Sequence, residues 1–147
     1  MRKDNDGVTR RGAPRQIPLR KLQICQVELE NEIDGKKFYS GAIVRDDRVL
    51  VLSRTQDPRV DITSFAANLK RTYLDYESKN DQLGGCLEIT FRFLQKSIFI
   101  RKLNDLGDSK YPLSNQFWLV LILNPSKRNF KERINQLSED ICKTLFT

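Results

Sequence analysis

The side chains here that could do chemistry are three glutamates (Glu28, Glu30, Glu32), the pair Asp46-Asp47, the stretch LGDSK at 106–110, and the cysteines Cys25, Cys86 and Cys142. Carboxylates share acid and base work only when they face a common proton. On a helix, alternate residues point in different directions, so the three glutamates read as a solvated charged face. Asp46-Asp47 reads as a turn. LGDSK has part of the composition of a phosphate loop but lacks the G-x-x-x-x-G-K-[ST] spacing and a preceding strand. The chain contains no histidine, which removes the commonest general base and the Ser-His and Cys-His nucleophile pairs. No catalytic residue is assigned, and the chain reads as a non-enzyme.

The cysteines are odd in number and more than fifty residues apart, so they form neither a disulfide framework nor a C-x-x-C metal pair. With no histidine to complete a zinc site, neither a metal nor a cofactor is expected. Cys25 and Cys142 fall near apolar positions of predicted helices and read as buried thiols.

Charge divides unevenly. Residues 1–21 hold Arg2, Lys3, Arg10, Arg11, Arg15, Arg20 and Lys21 against Asp4 and Asp6, which is +5 of the chain's +7. The basicity belongs to a tail, so it says little about the folded body. Residues 1–16, with Arg2, Lys3, Arg10, Arg11 and Arg15, lack apolar periodicity and are expected to form a disordered basic arm, with one domain over 17–147. Such an arm could attract nucleic acid, anionic lipid or an acidic protein. The longest apolar run, FWLVLIL at 117–123, is far shorter than the roughly 20 residues of a membrane helix. The polar N-terminus has no secretory character. The expectation is therefore a soluble intracellular protein.

These residues must be carried by a small set of elements. Pro18 suits the first position of a helix whose face is Leu19, Leu22, Cys25, Gln26, Leu29 and Ile33. A strand over Leu22–Leu29 is the weaker alternative, because its apolar positions change phase midway. FYSGAIVRDDRVLVLSR at 38–54 reads as a hairpin turning at Asp46-Asp47. From Asp61 the period becomes helical, with Ile62, Phe65, Ala66, Leu69, Tyr73 and Tyr76 on one face and Asp61 or Thr63 as cap. CLEITFRFLQKSIFIRKLN at 86–104 reads as a second hairpin turning at Leu94-Gln95-Lys96. Phe117–Leu123, apolar on both faces, reads as a central strand. A final helix carries Phe130, Ile134, Leu137, Ile141 and Leu145. The predicted class is α+β, in the order α-β-β-α-β-β-β-α, a five-stranded antiparallel sheet with helices on both faces.

In the strand Cys86–Phe93, the residues Leu87, Ile89, Phe91 and Phe93 share one face, while Glu88, Thr90 and Arg92 share the other. The first set is expected to lie under a helix, and Tyr73 and Tyr76 are open between core and interface. An RNA-recognition reading of Phe91 and Phe93 fails because the K/R-G-F/Y lead and the β-α-β-β-α-β order are missing. The strand has no proline, bulge or inward charge, the devices that keep a margin from pairing.

The order of elements, together with GAIVRDDRVLVLSR, RVDITSFAANLKRTYLDYESK and LEITFRFLQKSIFIRKLN, resembles the Roadblock (dynein light chain) superfamily, a profilin/longin-like fold. Within it the chain is most similar to the Roadblock-type subunits of the Ragulator/EGO complex, the lysosomal scaffold for Rag GTPases, over residues 18–147. The basic arm and the loop 105–115 are longer than in a minimal Roadblock domain, and Asp46-Asp47 lacks the glycine often found in that turn. The resemblance implies pairing of two Roadblock domains, third strand to third strand, with the second helices packed across the join. That assigns to an interface Cys86, Leu87, Glu88, Ile89, Thr90, Phe91, Arg92 and Phe93, and on the helix Ile62, Phe65, Ala66, Leu69, Tyr73 and Tyr76. It further implies a non-catalytic scaffold that heterodimerises with a second Roadblock-domain protein, docks Rag-type small GTPases and serves TORC1 signalling. Localisation would be cytoplasmic and peripheral at the lysosome, vacuole or late endosome. Met1-Arg2 and the distance of Cys142 from the C-terminus offer no lipidation signal, so anchoring would come from partners. The alternatives are a dynein-associated light chain and, from a different class, a nucleic-acid module acting through the basic arm.

Overall fold

The computed structural model describes residues 17–45, 48–54, 61–62, 64–65, 68, 88–103, 117–126 and 130–146. In chain order they form α1 (Leu19–Glu32), β1 (Phe38–Arg45), β2 (Arg48–Leu52), β3 (Glu88–Arg92), β4 (Ser97–Lys102), β5 (Phe117–Leu123) and α2 (Lys131–Phe146). Residues 62, 64, 65 and 68 are also helical, between β2 and β3 as the sequence predicts. The strands make one sheet in the order β2-β1-β5-β4-β3, antiparallel at every junction. The α+β class, the element order and the single five-stranded antiparallel sheet are as expected.

The centre of the sheet is β5, whose seven residues are all buried. Its side chains alternate between two cores. Phe117, Leu119, Leu121 and Leu123 meet Cys25 and Leu29 of α1 and Ile134, Leu137, Ile141 and Leu145 of α2. Trp118, Val120 and Ile122 meet Ala42, Val44, Ile98 and Ile100, closed over by Ile62 and Phe65. A strand buried on both faces cannot alternate polar with apolar, which is why FWLVLIL is continuous. Each large side chain so enclosed contributes about 1.5–3 kcal/mol of burial.

Pro18 is one place earlier than the sequence suggests. With φ −55° and ψ 139° it is extended, and its carbonyl accepts from the N–H groups of Lys21 at 2.9 Å and Leu22 at 3.2 Å, so it caps α1. Leu19, placed on the buried stripe by its spacing, is instead 69% exposed. Two steps of three residues lag a 3.6-residue helix by about 120°, so Leu19 has rotated away from a face centred on Cys25 and Leu29. In α2, Glu132 in the first turn and Lys143 in the last complement the helix dipole.

The glutamates of α1 do not form the solvated face expected of them. Glu28 accepts from Thr144 Oγ1 at 3.2 Å, Glu30 from the N–H of Arg54, and Glu32 forms an ion pair with Arg133 at 2.9 Å. Because alternate residues diverge around the helix, each reaches a different neighbour. They tie α1 to both ends of α2 and to the end of β2.

Candidate interface at the sheet margin

The site begins with a turn. The N–H of Phe93 donates to the carbonyl of Lys96 at 2.9 Å, closing a two-residue connection, Leu94-Gln95, between β3 and β4. From there the register runs without interruption through Arg92↔Ser97, Phe91↔Ile98, Thr90↔Phe99, Ile89↔Ile100 and Glu88↔Arg101. Hydrogen-bonded and non-bonded pairs alternate along an antiparallel ladder. Counting from the bonded Phe93–Lys96 pair, Phe91 and Ile89 turn their N–H and C=O groups inward to β4. Those of Arg92, Thr90 and Glu88 turn outward. Among the described residues no strand lies on that outer side.

The same alternation sorts the side chains. Ile89 and Phe91 are half-buried, and the Phe91 ring meets Phe65 edge-on, centroids 5.5 Å apart at 82°. Phe93 departs from its predicted place under a helix. It is 56% exposed, and Leu94 beside it is 96% exposed, because the chain has already entered the turn and left the pleat. On the other face, Glu88 accepts from Arg101 Nε at 2.8 Å. Arg101 in turn donates to Asn135 Oδ1 at 2.6 Å and lies over the Phe99 ring, 5.4 Å from its centroid. Between this face of β3–β4 and α2 lies a cleft of about 420 Å³, lined by Thr90, Arg92, Phe99 and Ile134 among others. The helix therefore does not cover β3.

The helical segment before β3 is started by Asp61, one of the two caps expected. Its carboxylate accepts from Ser64 N at 3.1 Å and Ser64 Oγ at 2.7 Å, and its carbonyl accepts from Phe65 N at 3.0 Å. Ile62 is 2% exposed and lies in the chain's own core, while Phe65 is half-buried. Cys86, Leu87, Ala66, Leu69, Tyr73 and Tyr76, the arm residues Arg2, Lys3, Arg10, Arg11 and Arg15, Asp46-Asp47 and LGDSK lie outside the described residues.

The opposite margin is built differently. Strand β2 pairs with β1 through a register shift at Ile43/Val44. Gln26 Nε2 of α1 donates to the carbonyl of Leu52 at 3.0 Å, and Glu30 takes the N–H of Arg54 just beyond. A bulge and helix-borne side chains guard that edge. Nothing in the sequence pattern marks Gln26 for this task; its place beside Cys25 on the inner side of α1 is the only signal.

Reactive chemistry is muted among the described residues. Burial, with Glu28 and Cys142 adding, pushes the Cys25 thiol up to about 12. Burial, with Glu139 adding, pushes Cys142 to about 11, and Cys142 Sγ donates to the carbonyl of Leu103 at 3.2 Å. Neither is a thiolate near neutral pH. No group of three or more His, Cys, Asp or Glu stands close enough to hold a metal among the described residues, and no described helix is long and apolar enough to cross a membrane.

No family model matches the chain, and no curated protein does. Solved structures do. The gliding protein MglB from Thermus thermophilus superposes with a TM-score of 0.67 at 12% identity, covering 85% of this chain and 90% of that one. Myxococcus xanthus MglB gives 0.67 at 12%, covering 83% and 87%. The Roadblock/LC7 domain from Streptomyces avermitilis gives 0.55 at 10%, covering 82% and 91%. These likenesses establish a shared fold.

Proposed function

We propose that this chain is a non-catalytic adaptor domain that joins a second Roadblock-like domain through the outer margin of β3. The observation that carries the reading is the contrast between the two margins: β2 is bulged and capped by Gln26 and Glu30, whereas β3 runs in unbroken register. A strand of this kind is completed by another strand through main-chain hydrogen bonds. Support comes from the fold it shares with MglB, one structure of which is described as having a tetrameric arrangement. The resemblance noted in the sequence extends the proposal to a heterodimer within a Ragulator-like scaffold that docks Rag-type small GTPases at the lysosome or vacuole.

The ladder geometry selects the test. Ile89 gives its N–H to the chain's own sheet, so proline there would damage the fold. Thr90 gives its N–H outward, and proline at a solvent-facing edge position costs the sheet no internal bond. Thr90→Pro should leave the melting temperature of the unassembled domain within a few degrees of the wild type. In affinity purification from cells, a Roadblock-like partner and Rag-type GTPases should come with the wild-type chain and be lost with Thr90→Pro. Full recovery with a folded Thr90→Pro chain would overturn the edge contact. Recovery of a Roadblock-like partner without any Rag-type GTPase would overturn only the extension to Rag docking.

A further inference from the structure

Helix α1 is apolar on its solvent side as well as on its buried one. At about 100° per residue, Leu19, Gln23, Val27, Arg20, Asn31 and Ile24 fall in one arc of roughly 140° opposite Cys25 and Leu29. All six are exposed, Leu19 to 69%, Val27 to 57% and Ile24 to 44%. Of the six exposed large apolar side chains among the described residues, three are on this arc. Single exposed aliphatics are ordinary, whereas three on one helix face form a surface. We infer that this face, with the basic stretch that runs into it, docks the domain reversibly on an anionic membrane surface.

Charge selects the occupant. From Gly7 to Val27 the sequence holds Arg10, Arg11, Arg15, Arg20 and Lys21 and no acid. The acids that follow on α1 are engaged at its flanks: Glu28 by Thr144, Glu30 by the N–H of Arg54 and Glu32 by Arg133. Arg20 stands on the outer arc itself, exposed and without an ion partner among the described residues. The arc therefore offers aliphatic side chains and a guanidinium with no carboxylate among them. Anionic headgroups above acyl chains match both parts at once. A nucleic acid would use the bases but leave Leu19, Ile24 and Val27 in water. A protein partner fits less well, because the arc carries no aromatic anchor of the kind that dominates protein interfaces and is convex, about 12 Å long from Leu19 to Val27. A bilayer accepts a convex apolar face of any outline.

The rest of the fold is compatible with this placement. No described helix is long and apolar enough to cross a membrane, and a helix with an apolar stripe and a basic flank lies in the headgroup plane instead. The inner side of α1 is committed to the core through Cys25 and Leu29, so only the outward side chains enter the lipid. Helix α1 guards the β2 margin, the far end of the sheet from β3. Its outer face stays open when another domain joins at β3, and the inference does not depend on that joining.

Flotation of the full chain with vesicles tests the inference, using phosphatidylcholine alone and phosphatidylcholine with phosphatidylserine at about three to one. The wild type should float with the mixed vesicles, not with the neutral ones, and should lose affinity as salt rises. A triple variant, Leu19→Gln with Ile24→Gln and Val27→Gln, changes exposed positions to a residue of equal or better helix propensity, so its melting temperature should hold. Its affinity for the mixed vesicles should fall on the order of a hundredfold, and Arg20→Gln alone should lower affinity about fivefold. A folded triple variant that binds like the wild type overturns the role of the α1 face. Equal binding to both kinds of vesicle overturns the role of charge. A wild type that floats with neither overturns membrane docking; duplex DNA held equally by the triple variant, or a protein lost with it in affinity purification, would then name the occupant instead.

Discussion

Asp34 fixes where the sheet begins. Its Oδ1 accepts from the N–H groups of Lys36 at 2.8 Å, Lys37 at 2.7 Å and Phe38 at 3.1 Å, wrapping the chain around Gly35, whose φ of 71° suits a residue without a side chain. Slight burial works against ionisation, but these three donors and Arg133 outweigh it and hold the carboxyl below its usual range. A lowered folded-state pKa means that the stabilisation is present above the unfolded value, about 3.9, and is lost as pH falls through the folded one. Asp34→Ala should therefore cost about 1 kcal/mol at pH 7, comparable with losing a helix cap. The gap between the variant and the wild type in thermal melts should close as the buffer is taken below pH 4. A gap of constant size from pH 7 to pH 2 would mean that the carboxylate does not hold the turn. Roles of this kind are hard to read from a string of residues. Asp34-Gly35 resembles many other turn dipeptides, and Glu28, Glu30 and Glu32 looked solvated because their partners are up to 116 residues away.

Where elements meet, the tightest approach is at Gly41 in β1. A Cβ there would stand 2.9 Å from Leu29 Cδ1, 3.0 Å from Leu121 Cδ2 and 3.3 Å from the carbonyl oxygen of Val120, so α1 and β5 close directly over the bare backbone. Leu29 and Leu121 are fully buried and cannot swing out. Gly41→Ala should destabilise by about 1–3 kcal/mol through overpacking, measured by urea denaturation. Trimming Leu29 to Val in the same chain should recover part of that loss, and an unchanged midpoint for Gly41→Ala would refute the contact. The elements themselves were legible in the sequence: α1, both hairpins, the central strand and the last helix are all found where apolar period predicts them. Period reports which face of an element is buried. It is silent on how far an element extends past its cover, which is why Leu19 and Phe93 were assigned to the core, and on strand order, which placed β3 at the margin. The candidate site was visible as a strand without guards, but the direction of its backbone groups needed the Phe93–Lys96 bond to set the phase.

At the scale of the whole molecule, the two margins give the sheet a direction of growth. Among the described residues, one edge is closed by side chains of α1 and the other ends at β3 with α2 set back from it, so in the proposed assembly a joined pair of sheets forms on one side only. That closure makes stability depend on concentration, because a partner that binds only the folded chain draws the folding equilibrium toward itself. For a dimer of chains of this length, the entropy of unfolding is on the order of 600 cal/mol/K, so each tenfold rise in protein concentration should raise the melting temperature by about 2 °C. Thr90→Pro should flatten that dependence while leaving the low-concentration limit near the wild-type value, since it removes an outward donor and no internal bond. Differential scanning calorimetry across two decades of concentration separates these outcomes. A wild-type melting temperature independent of concentration throughout would show that β3 does not join a second copy of the chain, leaving a different Roadblock-like domain as the partner that affinity purification tests.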